Sequence, residues 1–330
     1  MKIVIDKAIP FVKGVFEPYC HVDYIDGHSF NSSIVKDASA LLIRTRTRCD
    51  ESLLEGSSVQ HIATATIGFD HIDTQYCAST GIEVSTAAGC NARAVLQWFA
   101  AVVVHLSKIG GWQPHQKTIG IVGLGNVGGL IEHYAKLWGF KVVCCDPPRQ
   151  DSEGGDFVSF ERLASTADII TLHTPLDATT HHMINSESLK LISPNCIIIN
   201  SSRGEVVDTQ ALLDSQNPFV MDVWEGEPKI SPRALQRATL STPHIAGYSL
   251  QGKANATTMA VRSIAKALGM PLTSWSSDIK KVEPQQISWE ELCQTIDNKF
   301  DIVQQSEQLK NNPDLFEAIR NNYNYREEYF

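Results

Sequence analysis

Thr118-Ile119-Gly120-Ile121-Val122-Gly123-Leu124-Gly125-Asn126-Val127-Gly128 decides how this chain reads. An apolar run of strand length feeds straight into GxGxxG, and helical periodicity follows over residues 126–138. Gly123 permits the tight turn, Gly125 lets the backbone approach a pyrophosphate, and Gly128 lets helix and strand pack closely. The helix start at Asn126 and Val127 offers unpaired N–H groups to phosphate oxygens. Glycines in this pattern also serve packing alone, so context matters. The next strand, 141–145, runs into Asp146, 18 residues after Gly128, where an acid binds ribose hydroxyls. Its bland alternative is a turn former before Pro147-Pro148. An acid there favours NAD over NADP, because a 2′-phosphate would meet a like charge. Arg149 is the nearby residue that argues the other way.

Outward from this motif, short β-rich runs alternate with helical patterns, the signature of parallel α/β structure. Upstream, strands are expected at 2–5, 40–43 and 61–64, with helical stretches at 50–54 and 71–79. A long amphipathic helix is expected over 91–108, broken at Gly110-Gly111. Downstream, strands are expected at 169–173, 196–200 and 219–223, then a helix over 251–268 ended by Gly269. After Pro284 the chain turns polar, with weak helical periodicity at 289–300 and 313–323. The expected fold class is α/β, with two doubly wound parallel-sheet domains. A Rossmann nucleotide domain (94–244) is inserted in a discontinuous flavodoxin-like substrate domain (1–93 and 245–280). A short element (281–330) follows, a candidate for dimerisation. Two crossing helices would form a hinge beside a cleft between the domains.

Bulk properties narrow the function. The 330 residues are 43% apolar and 20% charged, ordinary for a globular chain. A net charge of −9 argues against nucleic acid or an anionic membrane as the main partner. The start, Met1-Lys2-Ile3-Val4-Ile5-Asp6, reads as a strand and not a signal peptide. The longest apolar stretch, 94–106, contains Gln97 and His105 and is too short to span a bilayer, so a cytoplasmic protein is expected. Eight cysteines show no CxxC pair and no metal-ligand spacing. Buried, unpaired thiols are expected, with no disulfide framework and no metal.

The chemistry is expected farther downstream. Arg203 lies in Asn200-Ser201-Ser202-Arg203-Gly204, Glu227 ends Asp222-Val223-Trp224-Glu225-Gly226-Glu227, and His244 opens His244-Ile245-Ala246-Gly247-Tyr248. A guanidinium can grip a carboxylate and a forming carbonyl through its rigid fork. An imidazole can take a hydroxyl proton, and a carboxylate can orient it. These are the parts needed to oxidise a 2-hydroxy acid. Of the eleven histidines, His61, His181 and His182 have no partner at useful spacing, and His173 reads as backbone positioning beside the cofactor crevice. Arg203 could instead form a structural ion pair, and Asp222 could be a strand-end cap or could orient ligand.

With these residues in hand, the chain resembles the D-isomer-specific 2-hydroxyacid dehydrogenase family. The likeness rests on GxGxxG, Arg203-Gly204-Glu205-Val206-Val207-Asp208, the Asp222-to-Pro228 block and His244. Narrower motifs add to it: Thr64-Ala65-Thr66-Ile67-Gly68-Phe69-Asp70-His71, Gly89-Cys90-Asn91-Ala92, Asp146-Pro147-Pro148-Arg149 and His173-Thr174-Pro175-Leu176. Together they cover about residues 2 to 270. They point to the branch acting on a small phosphorylated hydroxy acid with NAD, in pyridoxal 5′-phosphate biosynthesis. The resemblance implies Arg203 and Glu227 as active-site residues and His244 as proton donor. It places Thr45, Thr66 and Tyr248 at substrate, and Asp146, Thr174, Asp222 and Gly247 at NAD. Arg44 is the first candidate for the substrate phosphate, with Arg46 or Lys253 as lesser ones. A homodimer is the implied assembly, although the family's C-terminal dimerisation domain is represented here only by the short 281–330 element. Ala63 and Ala88 stand where the family often has Gly and Pro. Two other readings stay open: a sibling enzyme acting on glycerate, hydroxypyruvate or phosphoglycerate, and a catalytically silent NAD-binding regulatory protein.

Overall fold

Interior parallel strands are covered on both faces, so they show up as short unbroken apolar runs. The computed structural model describes residues 1–330 and divides them into two compact units. The first unit comprises Met1–Asn91 and Ser249–Lys281. Its strands are β1 (Lys2–Asp6), β2 (His21–Ile25), β3 (Ala40–Ile43), β4 (His61–Thr64) and β5 (Glu83–Thr86). They pair in the order β2-β1-β3-β4-β5, all parallel, the doubly wound order of flavodoxin-like sheets. Ile3, Ile5, Ala40, Leu42 and Ala63 face one core with Val261 and Ile264 of the Leu250–Ala267 helix. Val4, Leu41, Ile43 and Ile62 face the other.

The second unit comprises Ala92–Tyr248 and Val282–Phe330. Its strands are β6 (Thr118–Val122), β7 (Lys141–Cys145), β8 (Ile169–Leu172), β9 (Ile197–Asn200), β10 (Phe219–Met221) and β11 (Leu240–Ser241). The order is β11-β10-β9-β8-β6-β7, again all parallel. A single parallel bridge from Cys144 to Phe157 extends the sheet beyond β7. The strand order reverses at β6, which pairs with β7 on one side and β8 on the other, the switch point where α/β sheets bind ligands.

The helix expected over 91–108 runs from Ala92 to Gly110, and it is not amphipathic in place. It is buried around nearly its whole girth up to Ser107, as a helix at the centre of a core must be. By length and composition it could cross a membrane, but 78% of the stretch is buried within the protein. The helix expected from residue 71 begins only at Thr74, because the Asp73 side chain caps it by accepting from Tyr76 N. All eight cysteines are free thiols, six of them buried.

The tail is not a separate body. Trp289–Lys299, Ile302–Asn311 and Phe316–Asn321 are helices, the middle one unforeseen. Ile287, Leu292, Ile296, Phe300, Ile302 and Phe330 join the core around the Ala92–Gly110 helix. Trp138 Nε1 donates to the Ile287 carbonyl at 3.1 Å, and Tyr134 donates to the Gln285 carbonyl at 2.7 Å.

Candidate active site

Glycine at three positions shapes the turn after β6. Gly123 has φ +87°, and a Cβ there would come within 2.8 Å of the His173 carbonyl oxygen. A Cβ on Gly128 would lie 1.9 Å from the Gly123 oxygen, so helix and turn touch backbone to backbone. Gly125 caps the Asn126–Leu137 helix, and nothing lies within 4 Å of where its Cβ would be. That bare face is open to a ligand's phosphates.

Beside this turn, Asp146 caps the Pro147–Glu153 helix, accepting from Arg149 N at 3.1 Å. Its other oxygen accepts from Leu124 N at 2.7 Å, which ties the acid to the glycine turn. A carboxylate has about four lone-pair sites, so acceptor capacity remains for ribose hydroxyls. Arg149 is committed elsewhere, to Glu153 at 2.6 Å and the Leu124 carbonyl at 2.7 Å. It therefore gives little support to a 2′-phosphate. Past the ends of β8 and β9, Thr174 Oγ1 and Ser201 Oγ are buried with no partner in the protein. Buried hydroxyls are normally paired, so two orphans at the ligand-binding edge fit a bound dinucleotide. Ser201 carries no motif of its own, and the sequence marks it only by its place directly after β9.

His173 pairs with its own strand, β8. Burial pushes its imidazole down to about 3, and its Nε2 pairs with Thr171 Oγ1 at 2.9 Å.

Arg203 follows β9 in extended backbone, and Asn200 Nδ2 donates to its carbonyl at 2.8 Å. Its Nη1 donates to the Ser202 carbonyl at 2.7 Å. A Cβ on Gly204 would lie 2.0 Å from the Trp224 carbonyl carbon. Only glycine allows the arginine turn to lie directly against the Asp222–Glu227 block.

Glu227 and His244 meet across 17 residues: Oε2 of the acid lies 2.8 Å from Nδ1 of the ring. The other carboxylate oxygen accepts from Trp224 N at 2.9 Å. Burial raises the Glu227 carboxyl, but His244, Arg320 and the Trp224 amide outweigh it and hold the group below the usual range. His244 itself sits at φ +57°, a conformation that L residues seldom adopt. The loop around it hangs on Asp222, which is 1% exposed. Asp222 accepts from Thr242 Oγ1 at 2.6 Å, Ile245 N at 2.8 Å and Ala246 N at 3.0 Å, and its carbonyl accepts from His244 N at 2.7 Å. Burial pushes its carboxyl up against the pull of His244 and these donors. Its observed partners are thus the histidine loop, including Ile245 and Ala246 just before Gly247. Trp98 Nε1 extends the chain by donating to Thr242 Oγ1 at 3.0 Å.

Two tail arginines unforeseen from sequence complete this region. Arg320 Nε donates to the Tyr248 phenol at 3.1 Å, and its Nη1 lies 3.8 Å from Glu227 Oε2. Arg326, only 8% exposed, donates to the carbonyls of Ile245 and Tyr248, of Ala246 and of Ala94. The polar tail carries no motif, and its register against the loop is set only in three dimensions.

The remaining expected residues lie in the first unit. Thr45 and Arg44 follow β3; Thr45 is exposed, and Arg44 Nη1 donates to the Ala8 carbonyl at 3.1 Å. Thr66 follows β4, with Oγ1 2.6 Å from Thr64 Oγ1 and 3.2 Å from the Gly68 carbonyl. All three occupy the carboxyl edge of that unit's sheet, where α/β folds bind ligands.

Residues 92–246 match the profile of the D-isomer specific 2-hydroxyacid dehydrogenase, NAD binding domain. Erythronate-4-phosphate dehydrogenase of Bacteroides thetaiotaomicron is 40% identical, over 99% of this chain and 97% of its own length. Its counterpart in Ectopseudomonas mendocina is 43% identical, over 82% of this chain and 73% of its own. Among solved structures, NAD⁺-bound 3-phosphoglycerate dehydrogenase of Entamoeba histolytica superposes with a TM-score of 0.70 at 25% identity. That match covers 86% of this chain and 99% of the other. The chain belongs to the D-isomer-specific 2-hydroxyacid dehydrogenase family, among its erythronate-4-phosphate dehydrogenases, and residues 92–246, within its second unit, are the NAD-binding domain.

Proposed function

We propose that this chain oxidises 4-phospho-D-erythronate at C2, giving 3-hydroxy-2-oxo-4-phosphobutanoate in the route to pyridoxal 5′-phosphate. The observation that carries the reading is the His244–Glu227 pair, set at 2.8 Å in the NAD-binding unit. A carboxylate only accepts hydrogen bonds, so the proton of neutral His244 sits on Nδ1. Nε2 is left with its lone pair, in position to take the C2 hydroxyl proton. When bound, NAD supplies the acceptor for the C2 hydride. As the imidazolium forms, Glu227 stabilises it, and the proton passes from Nε2 to solvent. The Arg203 fork holds the substrate carboxylate and polarises the forming C2 carbonyl. Thr66 and the loop amides after it, with Thr45 and Tyr248, are assigned to substrate, and Arg44 to its phosphate. Among cofactor contacts we assign Gly123, Gly125, Asn126, Val127 and Gly128 to the pyrophosphate. Asp146 is assigned to ribose, and Thr174, Asp222 and Gly247 to the remainder of NAD.

A homodimer and a cytoplasmic location belong to the same proposal and rest on the family likeness. Sedimentation velocity tests the first, since a dimer doubles the 36.4 kDa of the chain.

The deciding experiment follows NADH formation with 4-phospho-D-erythronate beside erythronate, 3-phosphoglycerate and glycerate. A 2-oxo acid is included in case retained NADH masks turnover. Preference for the four-carbon phosphate is expected. Better activity on another acid would move the chain to a sibling reaction. Silence on all, with NAD bound, would favour a regulatory role.

A further inference from the structure

The acid–base pair has a third member that comes from the far end of the chain. Arg320 lies in the Phe316–Asn321 helix, yet its guanidinium reaches two functional side chains at once. Nε donates to Tyr248 Oη at 3.1 Å, Nη1 stands 3.8 Å from Glu227 Oε2, and the guanidinium carbon sits 5.9 Å from the Tyr248 ring centre. A lysine ammonium could not span both partners in this way, because only guanidinium presents a planar fork of donors. By accepting from Arg320, the phenol keeps its own proton for a different partner.

The tail cannot drift from this position. Arg326, six residues later, is buried against the carbonyls of Ile245, Ala246 and Tyr248, the loop that carries His244. Tyr248 also meets Tyr323 and Tyr325 edge to face, with ring centres 6.2 Å and 6.0 Å apart. The groups acting on the pair are therefore Asp222 behind the histidine loop, Tyr248 beyond it and Arg320 from the tail.

We propose that Arg320 is a positioning residue for the reaction, joining the Tyr248 phenol to the Glu227 carboxylate so that the C-terminal tail sets both the geometry and the charge of the acid–base pair. Arg320 touches neither the reacting atoms nor the cofactor in this assignment. It acts through Glu227, which it helps hold as an anion, and through Tyr248, whose ring it fixes. The inference rests on the reading of His244 and Glu227 as the proton-transfer pair.

The test compares wild type with Arg320→Gln and Arg320→Lys, by steady-state kinetics across pH and by ¹³C NMR of glutamate carboxyls. The Glu227 signal is assigned by its absence in Glu227→Gln. In Arg320→Gln, kcat should fall about tenfold, and the acid limb of kcat/KM should move up by about half to one pH unit. The limb moves up because an acid–base pair that loses a neighbouring cation takes up a proton more readily, and the Glu227 carboxyl signal should titrate at higher pH. Arg320→Lys keeps the charge and loses the fork, so it should hold the acid limb near wild type while raising KM. Lost activity with an unmoved acid limb and an unmoved Glu227 titration would mean a merely structural role and overturn the proposal. So would wild-type kinetics in Arg320→Gln. The NMR arm needs no turnover: if wild type is silent on every acid, the reaction assignment fails, while the Glu227 titration still decides the role of Arg320.

Discussion

His244 holds φ +57° on a loop from which two amides and a hydroxyl point at one buried carboxylate, Asp222. A non-glycine residue in that region costs about 1–3 kcal/mol and persists only where its surroundings over-determine it. The three bonds into Asp222 and the Glu227 contact supply that over-determination, so the strained residue is the one that presents the imidazole. Glu227 gives the residue-scale prediction. Its carboxyl is held below 4.5 in the fold, so the folded state favours the anion. The stabilisation is complete above about pH 4.5 and is lost as pH falls through the folded value. Glu227→Gln has no such term. The stability gap between wild type and Glu227→Gln, read from urea midpoints, should therefore narrow as pH falls below about 4.5. At pH 7 the variant should lose about 10²-fold in kcat/KM, because a neutral amide cannot stabilise the imidazolium. A gap that stays constant with pH would contradict this account of Glu227.

At the scale of elements, legibility followed burial. Strands β3, β4, β6 and β9 are buried on both faces and appear as apolar runs in sequence. Strands β2 and β5 are edge strands of half-buried, mixed residues, His21-Val22-Asp23-Tyr24-Ile25 and Glu83-Val84-Ser85-Thr86, and no such run announced them. The helix Ile302–Asn311 buries only Ile302, Ser306 and Leu309, too sparse a stripe to detect among glutamines. In the site, the residues with local motifs were all foreseeable: the glycine turn, Arg203-Gly204, Glu227-Pro228 and His244. Arg320 and Arg326 were not, because their meaning lies in contacts 70 or more residues away in sequence. Glycines 204 and 125 separate the two kinds of motif. An added methyl at Gly204 would strike the Trp224 carbonyl backbone, whereas at Gly125 it would meet nothing. Gly204→Ala should therefore lose about 2 kcal/mol or more in chemical denaturation and lose activity with it. Gly125→Ala should unfold like wild type and bind NAD more weakly by calorimetry, since only a phosphate needs that space. Equal stability in the two variants would contradict the packing described for Gly204.

For the whole molecule, two parallel sheets with separate cores make two units, and the tail belongs to one of them. Its last residue, Phe330, is 1% exposed between Tyr134 and Trp138, with ring centres 5.4 Å and 6.4 Å away. Gln97 Nε2 donates to the Phe330 carbonyl at 3.3 Å, and Lys108 pairs with Asp297 at 2.5 Å. Removing these contacts would uncover the Ala92–Gly110 helix and leave the carbonyls around Arg326 without their donor. Each buried, unsatisfied carbonyl costs about 1–3 kcal/mol. The tail should therefore open only with the NAD-binding unit. A ligand that binds the folded unit at a hundred times its dissociation constant stabilises it by about 2.7 kcal/mol. Hydrogen-exchange mass spectrometry with and without NAD reads this directly. Peptides from 289–311 and 326–330 should gain protection in step with those from 118–145. If the tail exchanges fast and ignores NAD while 118–145 responds, it is an appendage and not part of that core. The dependence of the His244 loop on Arg326 would then need another explanation.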